Sequence, residues 1–153
     1  MYRSVITFKK NENIFDSDAQ VIVNPVNTVG VMGKGLALDF KNKYPKMFIE
    51  YKKACQYHLI DIGKLYYYPG NKCDERDIIL FPTKKHWNNK TLVSYIEKGL
   101  QNFVETYRDV GISSVAFPRI GCGLDGLDWE NTVKPLIIKY LSSLEDLEVQ
   151  IYE

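Results

Sequence analysis

The sequence lacks a strong net charge. Its 20 lysine and arginine residues stand against 19 aspartate and glutamate residues, which leaves a formal charge of +1. No overall basic field favours non-specific binding to nucleic acid, and no acidic balance favours basic partners. The chain also has no apolar run long enough to cross a bilayer and no secretory signal at its N-terminus. These absences predict a cytoplasmic protein with no membrane partner.

Cysteine is scarce as well. Cys55, Cys73 and Cys122 are odd in number and widely spaced, without a CxxC pair or a metal-ligand spacing. We therefore predict reduced thiols and no metal site. Cys122 lies within a glycine-rich segment but has no histidine near it in sequence, which favours a packing role over nucleophilic chemistry.

A length of 153 residues predicts a single domain over residues 1–153, large enough for one substantial core, and we expect it to be a monomer. Apolar, β-branched and aromatic runs predict six strands. Helical spacing of apolar residues lies between several of them. The predicted strands are 2–8, 20–23, 64–68, 77–81, 113–117 and 147–152. This alternation predicts a three-layer α/β domain with a mixed, mostly parallel sheet.

Two glycine-rich segments follow predicted strands. The first, NPVNTVGVMGKGLA, covers residues 24–37 and leads into a predicted helix. The second, RIGCGLDG, covers residues 119–126. Glycine lets backbone N–H groups converge closely on an anion at a helix start, so both segments are candidate phosphate-binding turns. Neither matches a Walker A loop or a dinucleotide-binding GxGxxG fingerprint. Asn24 and Asn27 offer sugar hydroxyls a donor and an acceptor, or else they hold the turn.

A third segment, PTKKHW, follows the predicted strand 77–81. Adjacent residues of an extended chain point to opposite sides, so Lys84 and Lys85 are not expected to share a role. A lysine at the mouth of an apolar cleft is a potential nucleophile toward a sugar, whereas a solvated surface cation is the alternative. A basic and aromatic cluster that could contact DNA comprises Lys85, His86, Trp87 and Lys90, although an exposed loop would look the same.

These motifs together resemble the macrodomain family. The resemblance covers nearly the whole chain and is most specific in NPVNTVGVMGKGLAL (24–38), FPTKKHW (81–87) and PRIGCGLDGLDWE (118–130). It is similar to the branch that holds terminal ADP-ribose protein glycohydrolases and the antitoxins that reverse DNA ADP-ribosylation. The resemblance implies a six-stranded α/β/α fold, ADP-ribose as ligand, and no cofactor.

The resemblance also implies roles for individual residues. Asn13 and Ile14 would contact adenine, and Tyr152 would stack on it. Lys84 would attack C1″ of the distal ribose, and Asp125 would assist release. The candidate ligand-binding residues are Asn13, Ile14, Asn24, Asn27, Thr28, Gly30, Val31, Met32, Gly33, Gly35, Leu36, Thr83, Pro118, Arg119, Ile120, Gly121, Cys122, Gly123, Leu124 and Tyr152.

The function implied is removal of mono-ADP-ribose from nucleic-acid bases, from protein glutamate or aspartate, or from both. The chain combines Asp125, typical of the glycohydrolases, with the GLDW continuation typical of the antitoxins, at residues 126–129. The preferred substrate therefore stays open. Two alternatives remain: a non-catalytic ADP-ribose reader, and a hydrolase of a free ADP-ribose metabolite.

Overall fold

The computed structural model describes residues 5–71, 75–123 and 126–153. Within these ranges, six strands form one sheet in the order β1-β6-β5-β2-β4-β3. The pair β3·β4 is antiparallel, and the other neighbouring strands are parallel. The strands are β1 Val5–Lys9, β2 Val21–Asn27, β3 Tyr66–Tyr68, β4 Asp77–Lys84, β5 Ser114–Phe117 and β6 Glu148–Tyr152. The predicted mixed, mostly parallel sheet is confirmed.

Four α-helices cover the sheet within the described residues. They are α1 Gly35–Lys43, α2 Pro45–Gln56, α3 Val93–Val110 and α4 Lys134–Leu141. A 3₁₀ turn, Ile14–Asp16, precedes β2. Gly111 ends α3 with φ 88°, a left-handed C-cap conformation that favours glycine. A π-helical segment, Trp129–Val133, leads into α4 and was not predicted.

The strands carry apolar residues on both faces, and each face packs against a different helix layer. Val23, Phe81 and Phe117 belong to the core formed with α3 and α4. Ile22 and Leu80 belong to the core formed with α1 and α2. Neighbouring strand residues point to opposite faces, so nearly continuous apolar runs are what a doubly covered sheet requires. The three-layer α/β/α prediction is therefore confirmed.

Two strands run further than the sequence predicts. β2 continues through Pro25 to Asn27, and β4 continues through Pro82 to Lys84. Proline lacks a backbone N–H and cannot donate to a sheet ladder, so its place inside a strand needs an explanation. β5 pairs with β2 only at Val21 and Ile22, and β3 pairs with β4 only up to Leu80. Beyond these points each strand has one edge without a strand partner among the described residues, where a missing N–H is tolerated.

The remaining boundaries differ by one or two residues. β3 begins at Tyr66 rather than residue 64, and Lys64 instead forms an isolated bridge with Asp61. β5 begins at Ser114 and β6 at Glu148, one residue later than predicted. The predicted start of β1 at residue 2 lies outside the described residues.

Candidate functional site

A cleft of about 1750 Å³ opens at the carboxyl ends of β2, β4 and β5. In α/β sheets, ligands bind beyond the carboxyl ends of the strands, which is where the sequence motifs lie. Twelve of the predicted site residues line this cleft. They are Asn13, Ile14, Gly35, Leu36, Thr83, Lys84, Pro118, Arg119, Gly121, Cys122, Gly123 and Tyr152.

The other predicted site residues are placed differently. Eight described residues do not line the cleft: Asn24, Asn27, Thr28, Gly30, Val31, Met32, Gly33 and Ile120. Leu124 and Asp125 lie outside the described residues. Ligand contact or catalysis by any of the predicted site residues, inside or outside the cleft lining, stays a prediction.

Asn27 organises the first glycine loop from within. Its Oδ1 accepts hydrogen bonds from the backbone N–H groups of Val29 (3.1 Å) and Val31 (3.4 Å), and its Nδ2 donates to the Val31 carbonyl (2.8 Å). The Tyr51 hydroxyl lies 2.7 Å from Oδ1 and 2.8 Å from the Asn27 carbonyl oxygen. Burial raises the pKa of Tyr51, which keeps its hydroxyl protonated as the donor. Gly30 supplies a φ of 83° between these contacts, a conformation that favours glycine.

The same loop is tied to the end of β4 and to the core. Both the N–H and the hydroxyl of Thr28 donate to the Lys85 carbonyl, at 3.2 and 2.7 Å. Met32 is 1% exposed and lies 3.8 Å from the amide of the fully buried Asn24. These contacts hold the loop against the sheet, and they make Asn24, Thr28 and Met32 part of its support.

After this loop, α1 presents its N-terminus to the cleft. Lys34, Gly35, Leu36 and Ala37 all line it. The N-cap position, Lys34, makes no side-chain capping hydrogen bond. The N–H groups of a first helical turn have no partner within the helix, so an anion in the cleft could accept from them.

Lys84 is the last residue of β4 and lines the cleft beside the buried Thr83. Lys85 is exposed and does not line it. The structure gives the two lysines different surroundings, and a difference in their roles stays a prediction. Lys84 is half-buried.

The second glycine loop is closed by two backbone hydrogen bonds. Gly126 N–H donates to the Gly123 carbonyl, and Leu127 N–H donates to the Gly121 carbonyl, both at 2.8 Å. Gly121 has φ 72°, and a Cβ there would lie 2.9 Å from Ile96 Cδ1. Burial raises the pKa of Cys122 to about 11, so its thiol is protonated at neutral pH. That protonation agrees with a packing role for this cysteine.

Tyr152, the last residue of β6, lines the cleft. Its hydroxyl donates to Gln150 Oε1 (3.2 Å), and Gln150 Nε2 donates to Asp18 Oδ1 (2.6 Å). Asn13 lies nearby, and its Oδ1 caps the 3₁₀ turn by accepting from Phe15 N–H at 2.9 Å. A smaller cavity of about 560 Å³ adjoins the cleft and shares Asn13 and Tyr152 with it.

Glu153 joins the end of β6 to the π-helical segment. Its Oε1 accepts from Trp129 Nε1 (3.0 Å) and lies 2.9 Å from Lys134 Nζ. These two donors lower the pKa of the Glu153 carboxyl below its ordinary value of 4.5. The contact fixes the chain directly beside Tyr152, which lines the cleft.

The basic and aromatic cluster divides between the cleft and its surroundings. Trp87 and Lys90 line the cleft, whereas Lys85 and His86 do not. The His86 ring packs against Trp87 with centroids 5.0 Å apart. The sequence grouped these four residues, and the structure gives them two different positions.

Several lining residues were not predicted as site residues. Near α1 and the 3₁₀ turn they include Phe15, Pro25, Lys34, Ala37, Asp39, Asn42 and Lys43. Near the start of α3 they include Asn88, Asn89 and Thr91, and near β6 they include Glu12 and Glu153. A sequence signal existed for Lys34, Pro25 and Ala37, which lie inside the first glycine motif, and for Gly126 and Leu127, which also line the cleft and lie inside the 118–130 motif. The others follow from the packing of distant segments.

Among the described residues, no three histidine, cysteine, aspartate or glutamate side chains gather in a way that suits a metal ion. In the same part of the chain, none of the helices has the length and apolar character needed to span a membrane.

Comparison with known proteins identifies the family. The Macro domain family matches residues 23–136. That match covers most of the chain, and the chain therefore belongs to the macrodomain family. The predicted recognition is confirmed.

Several relatives that are about 41% identical to this chain are DNA ADP-ribosyl glycohydrolases. The chain is 41% identical to "DNA ADP-ribosyl glycohydrolase" of Mycobacterium tuberculosis, over 97% of the chain and 42% of that protein. It spans about two-fifths of that relative's length. The solved macrodomain of M. tuberculosis DarG is 41% identical with a TM-score of 0.91, covering 97% of both chains. Thermosipho africanus DarTG in complex with ADP-ribose is 39% identical with a TM-score of 0.86, covering 95% of this chain and 41% of that one.

Proposed function

We propose that this protein is an ADP-ribosyl glycohydrolase that removes mono-ADP-ribose from nucleic-acid bases, from protein glutamate or aspartate, or from both. The observation that carries the proposal is the position of Lys84 at the end of β4, in a cleft shared by the two glycine loops. The names of the relatives support the same activity.

The shape of the cleft supports ADP-ribose as the ligand. Its volume of about 1750 Å³ leaves room for a dinucleotide-sized molecule with part of its substrate. The uncapped N-terminus of α1 suits the diphosphate. Tyr152 offers a ring for the adenine, and Asn13 and Ile14 lie at the same end. A distal ribose would then reach toward Lys84.

Lys84 is the proposed nucleophile. The unprotonated Nζ attacks C1″ of the distal ribose and forms a C–N bond. The C1″–O bond of an ester, or the C1″–N bond of a modified base, breaks, and its electron pair leaves with the carboxylate or the base. The amine proton is given up to that leaving group or to water. Water then adds to C1″ of the lysyl–sugar adduct and releases ADP-ribose and free Lys84.

Asp125 is the proposed acid–base group for adduct release. Its place in the sequence, between Gly123 and Gly126, supports this role, since both of those residues line the cleft. A carboxylate beside a diphosphate is electrostatically unfavourable, so a role in proton transfer gives a reason for its presence.

The test is a comparison of Lys84→Ala with a matched variant, Lys46→Ala, on ADP-ribosylated single-stranded DNA and on glutamate-linked ADP-ribosylated protein. Lys46 is exposed on α2 and does not line the cleft. We expect the Lys84 variant to lose several orders of magnitude in kcat, because loss of a nucleophile removes transition-state stabilisation that surface lysines do not supply. Lys46→Ala should keep the wild-type rate.

Other results would indicate another function. An unchanged rate for Lys84→Ala would refute the lysine mechanism. A wild-type protein that binds ADP-ribose in calorimetry but releases none from any substrate is a reader. Release of phosphate or acetate from ADP-ribose-1″-phosphate or O-acetyl-ADP-ribose, without activity on DNA or protein, would make it a metabolite hydrolase.

A further inference from the structure

Gln150 places a polar side chain in the buried part of β6, and it does not line the cleft. It is 5% exposed, whereas its neighbours Val149 and Ile151 are fully buried apolar residues of the core. A strand covered on both faces normally carries apolar residues, and a buried amide is stable only when its hydrogen-bonding groups have partners. The partners of Gln150 therefore indicate its role.

Three side chains satisfy the Gln150 amide. Its Nε2 donates to Asp18 Oδ1 at 2.6 Å, and its Oε1 accepts from Ser17 Oγ at 2.6 Å and from the Tyr152 hydroxyl at 3.2 Å. Ser17 is itself buried, and its Oγ accepts from the Ala19 N–H at 3.0 Å. These contacts join β6 to the short segment that leads from the 3₁₀ turn into β2.

The Asp18 carboxylate determines which way the Gln150 amide faces. An ionised carboxylate only accepts hydrogen bonds, so the NH₂ group of the amide must be turned toward it. The amide oxygen is then turned toward Ser17 and Tyr152, and both hydroxyls have to donate. A hydrogen bond at the hydroxyl end of a tyrosine restricts the direction in which the face of its ring points. The network therefore holds the Tyr152 ring in one orientation.

Tyr152 is half-buried and lines the cleft, where the proposed function assigns it to adenine. We propose that Gln150 is a positioning residue for ADP-ribose: anchored by Ser17 and Asp18, it holds the Tyr152 ring in the orientation that stacks on the base. The inference rests on the proposed function and adds to it a residue that does not touch the ligand. A ring already held by the protein loses less freedom when the ligand binds, so the network raises affinity without a contact of its own.

This role acts on binding and not on bond breaking. The proposed reaction takes place at C1″ beside Lys84, whereas the adenine is the part of ADP-ribose furthest from C1″. An interaction that is equal in the ground state and the transition state changes KM and leaves kcat unchanged. Gln150 should therefore affect KM alone.

The test measures kcat and KM on the ADP-ribosylated substrate that wild type cleaves, and the calorimetric Kd for ADP-ribose, in Gln150→Met and Tyr152→Phe. Tyr152→Phe removes only a hydroxyl from a half-buried ring, so it remains informative if the buried substitution prevents folding. One hydrogen bond corresponds to about 2- to 12-fold in an equilibrium constant, so each variant should raise KM and Kd by about that factor. Their kcat should stay within about twofold of wild type.

Two combined variants separate positioning from a general loss of structure. Gln150→Met together with Tyr152→Phe should cost no more affinity than either change alone, because both break the same hydrogen bond. Tyr152→Ala has no ring to orient, so adding Gln150→Met to it should change Kd by less than about twofold.

The matched control is Gln20→Met. Gln20 also uses both ends of its amide: Nε2 donates to the Gly111 carbonyl at 3.0 Å, and Oε1 accepts from the Ser113 N–H at 2.9 Å. It directly precedes β2, at the end of that strand away from the cleft, and it does not line the cleft. Gln20→Met should lower the urea midpoint while KM and Kd keep their wild-type values.

The outcomes separate this inference from the proposed function. Wild-type KM and Kd in Tyr152→Phe or in folded Gln150→Met would overturn the role of Gln150 and leave the hydrolase intact. The same holds for an equal loss in Gln20→Met, or for a full further loss when Gln150→Met is added to Tyr152→Ala. A wild type that binds ADP-ribose but cleaves no substrate refutes the proposed activity, and the Kd values still decide the role of Gln150. A wild type that does not bind ADP-ribose overturns both.

Discussion

A substitution at Asn27 tests whether this residue supports the first glycine loop or contacts the ligand. The change is Asn27→Ala, at a residue that is 8% exposed. It removes the acceptor for the Val29 and Val31 N–H groups and the donor to the Val31 carbonyl. It also removes one of the two acceptors near the Tyr51 hydroxyl, which keeps the Asn27 carbonyl at 2.8 Å.

The expected cost follows from these contacts. A hydrogen bond contributes about 1 kcal/mol net, and a buried group left without a partner costs about 1–3 kcal/mol. Val29 and Val31 are 46% and 39% exposed, so their freed backbone groups can reach water. Tyr51 is fully buried but retains an acceptor. The free energy of unfolding should therefore fall by about 2–3 kcal/mol rather than by the full cost of four orphaned groups.

Urea denaturation measures that loss, and calorimetry with ADP-ribose measures affinity in the same variant. Tyr51→Phe is the matched control, because it removes only the hydroxyl and should cost about 1 kcal/mol. In the double variant the two losses should not add, since both act on the Asn27–Tyr51 contact. We expect Asn27→Ala to lose ADP-ribose affinity as the loop becomes less ordered.

One result would refute this reasoning. If Asn27→Ala unfolds at the wild-type urea concentration but loses ADP-ribose affinity, then Asn27 acts through ligand contact and does not support the loop. Lost stability with unchanged affinity would show instead that the loop does not organise the ligand site.

Three further predictions concern packing and pH. Gly99→Ala should lower the free energy of unfolding by about 1–3 kcal/mol in urea, because a Cβ would overlap the Phe81 ring. Gly121→Ala should weaken ADP-ribose binding in calorimetry, because it combines φ 72° with a 2.9 Å approach to Ile96. For Glu153, the folded pKa is lowered, so its stabilising contribution is present above pH 4.5 and is lost as pH falls through the folded value. Glu153→Gln should therefore lower the urea midpoint at pH 7 and approach the wild-type midpoint under acid conditions.

Each of these has a distinguishing result. A wild-type midpoint for Gly99→Ala would mean that α3 shifts away from β4 without cost. Unaltered ADP-ribose affinity for Gly121→Ala would separate the second glycine loop from ligand binding. A stability difference for Glu153→Gln that persists in acid would show that packing, and not charge, accounts for it.

The sequence predicts the fold well because its local and global signals agree. Each of the six predicted runs became a strand, since apolar residues covered on both faces are recognisable without knowledge of the partners. The strand ends were harder to predict. β2 and β4 run on through Pro25 and Pro82, and the pairing limits of β3 and β5 explain why a residue without an N–H is tolerated there. The π-helical segment Trp129–Val133 left no periodic signal of its own.

The candidate site likewise has parts that local sequence predicts and parts that depend on the packing of distant residues. The motifs pointed to Lys84 and both glycine loops, because the residue types that directly follow a strand can be read from the sequence. The motifs could not show which asparagine makes its hydrogen bonds within the loop rather than to a ligand. Asn27 offers the same amide whether it binds a sugar or the loop, and only the position of Tyr51, 24 residues later, shows that its Oδ1 already has partners. Likewise, four neighbouring residues of the PTKKHW region looked like one cluster until the structure placed Trp87 and Lys90 in the cleft.

The contrast between backbone groups and side chains in the cleft bears on how the protein would select its substrate. The parts of the cleft proposed to hold ADP-ribose are built from backbone N–H groups and glycine turns, which carry little information about the attached group. If ADP-ribose binds there, discrimination between substrates would come from other side chains that line the cleft, such as the indole, two amides and ammonium group at 87–90. Exchanging this segment should therefore change which linkage is cleaved while leaving ADP-ribose affinity unchanged.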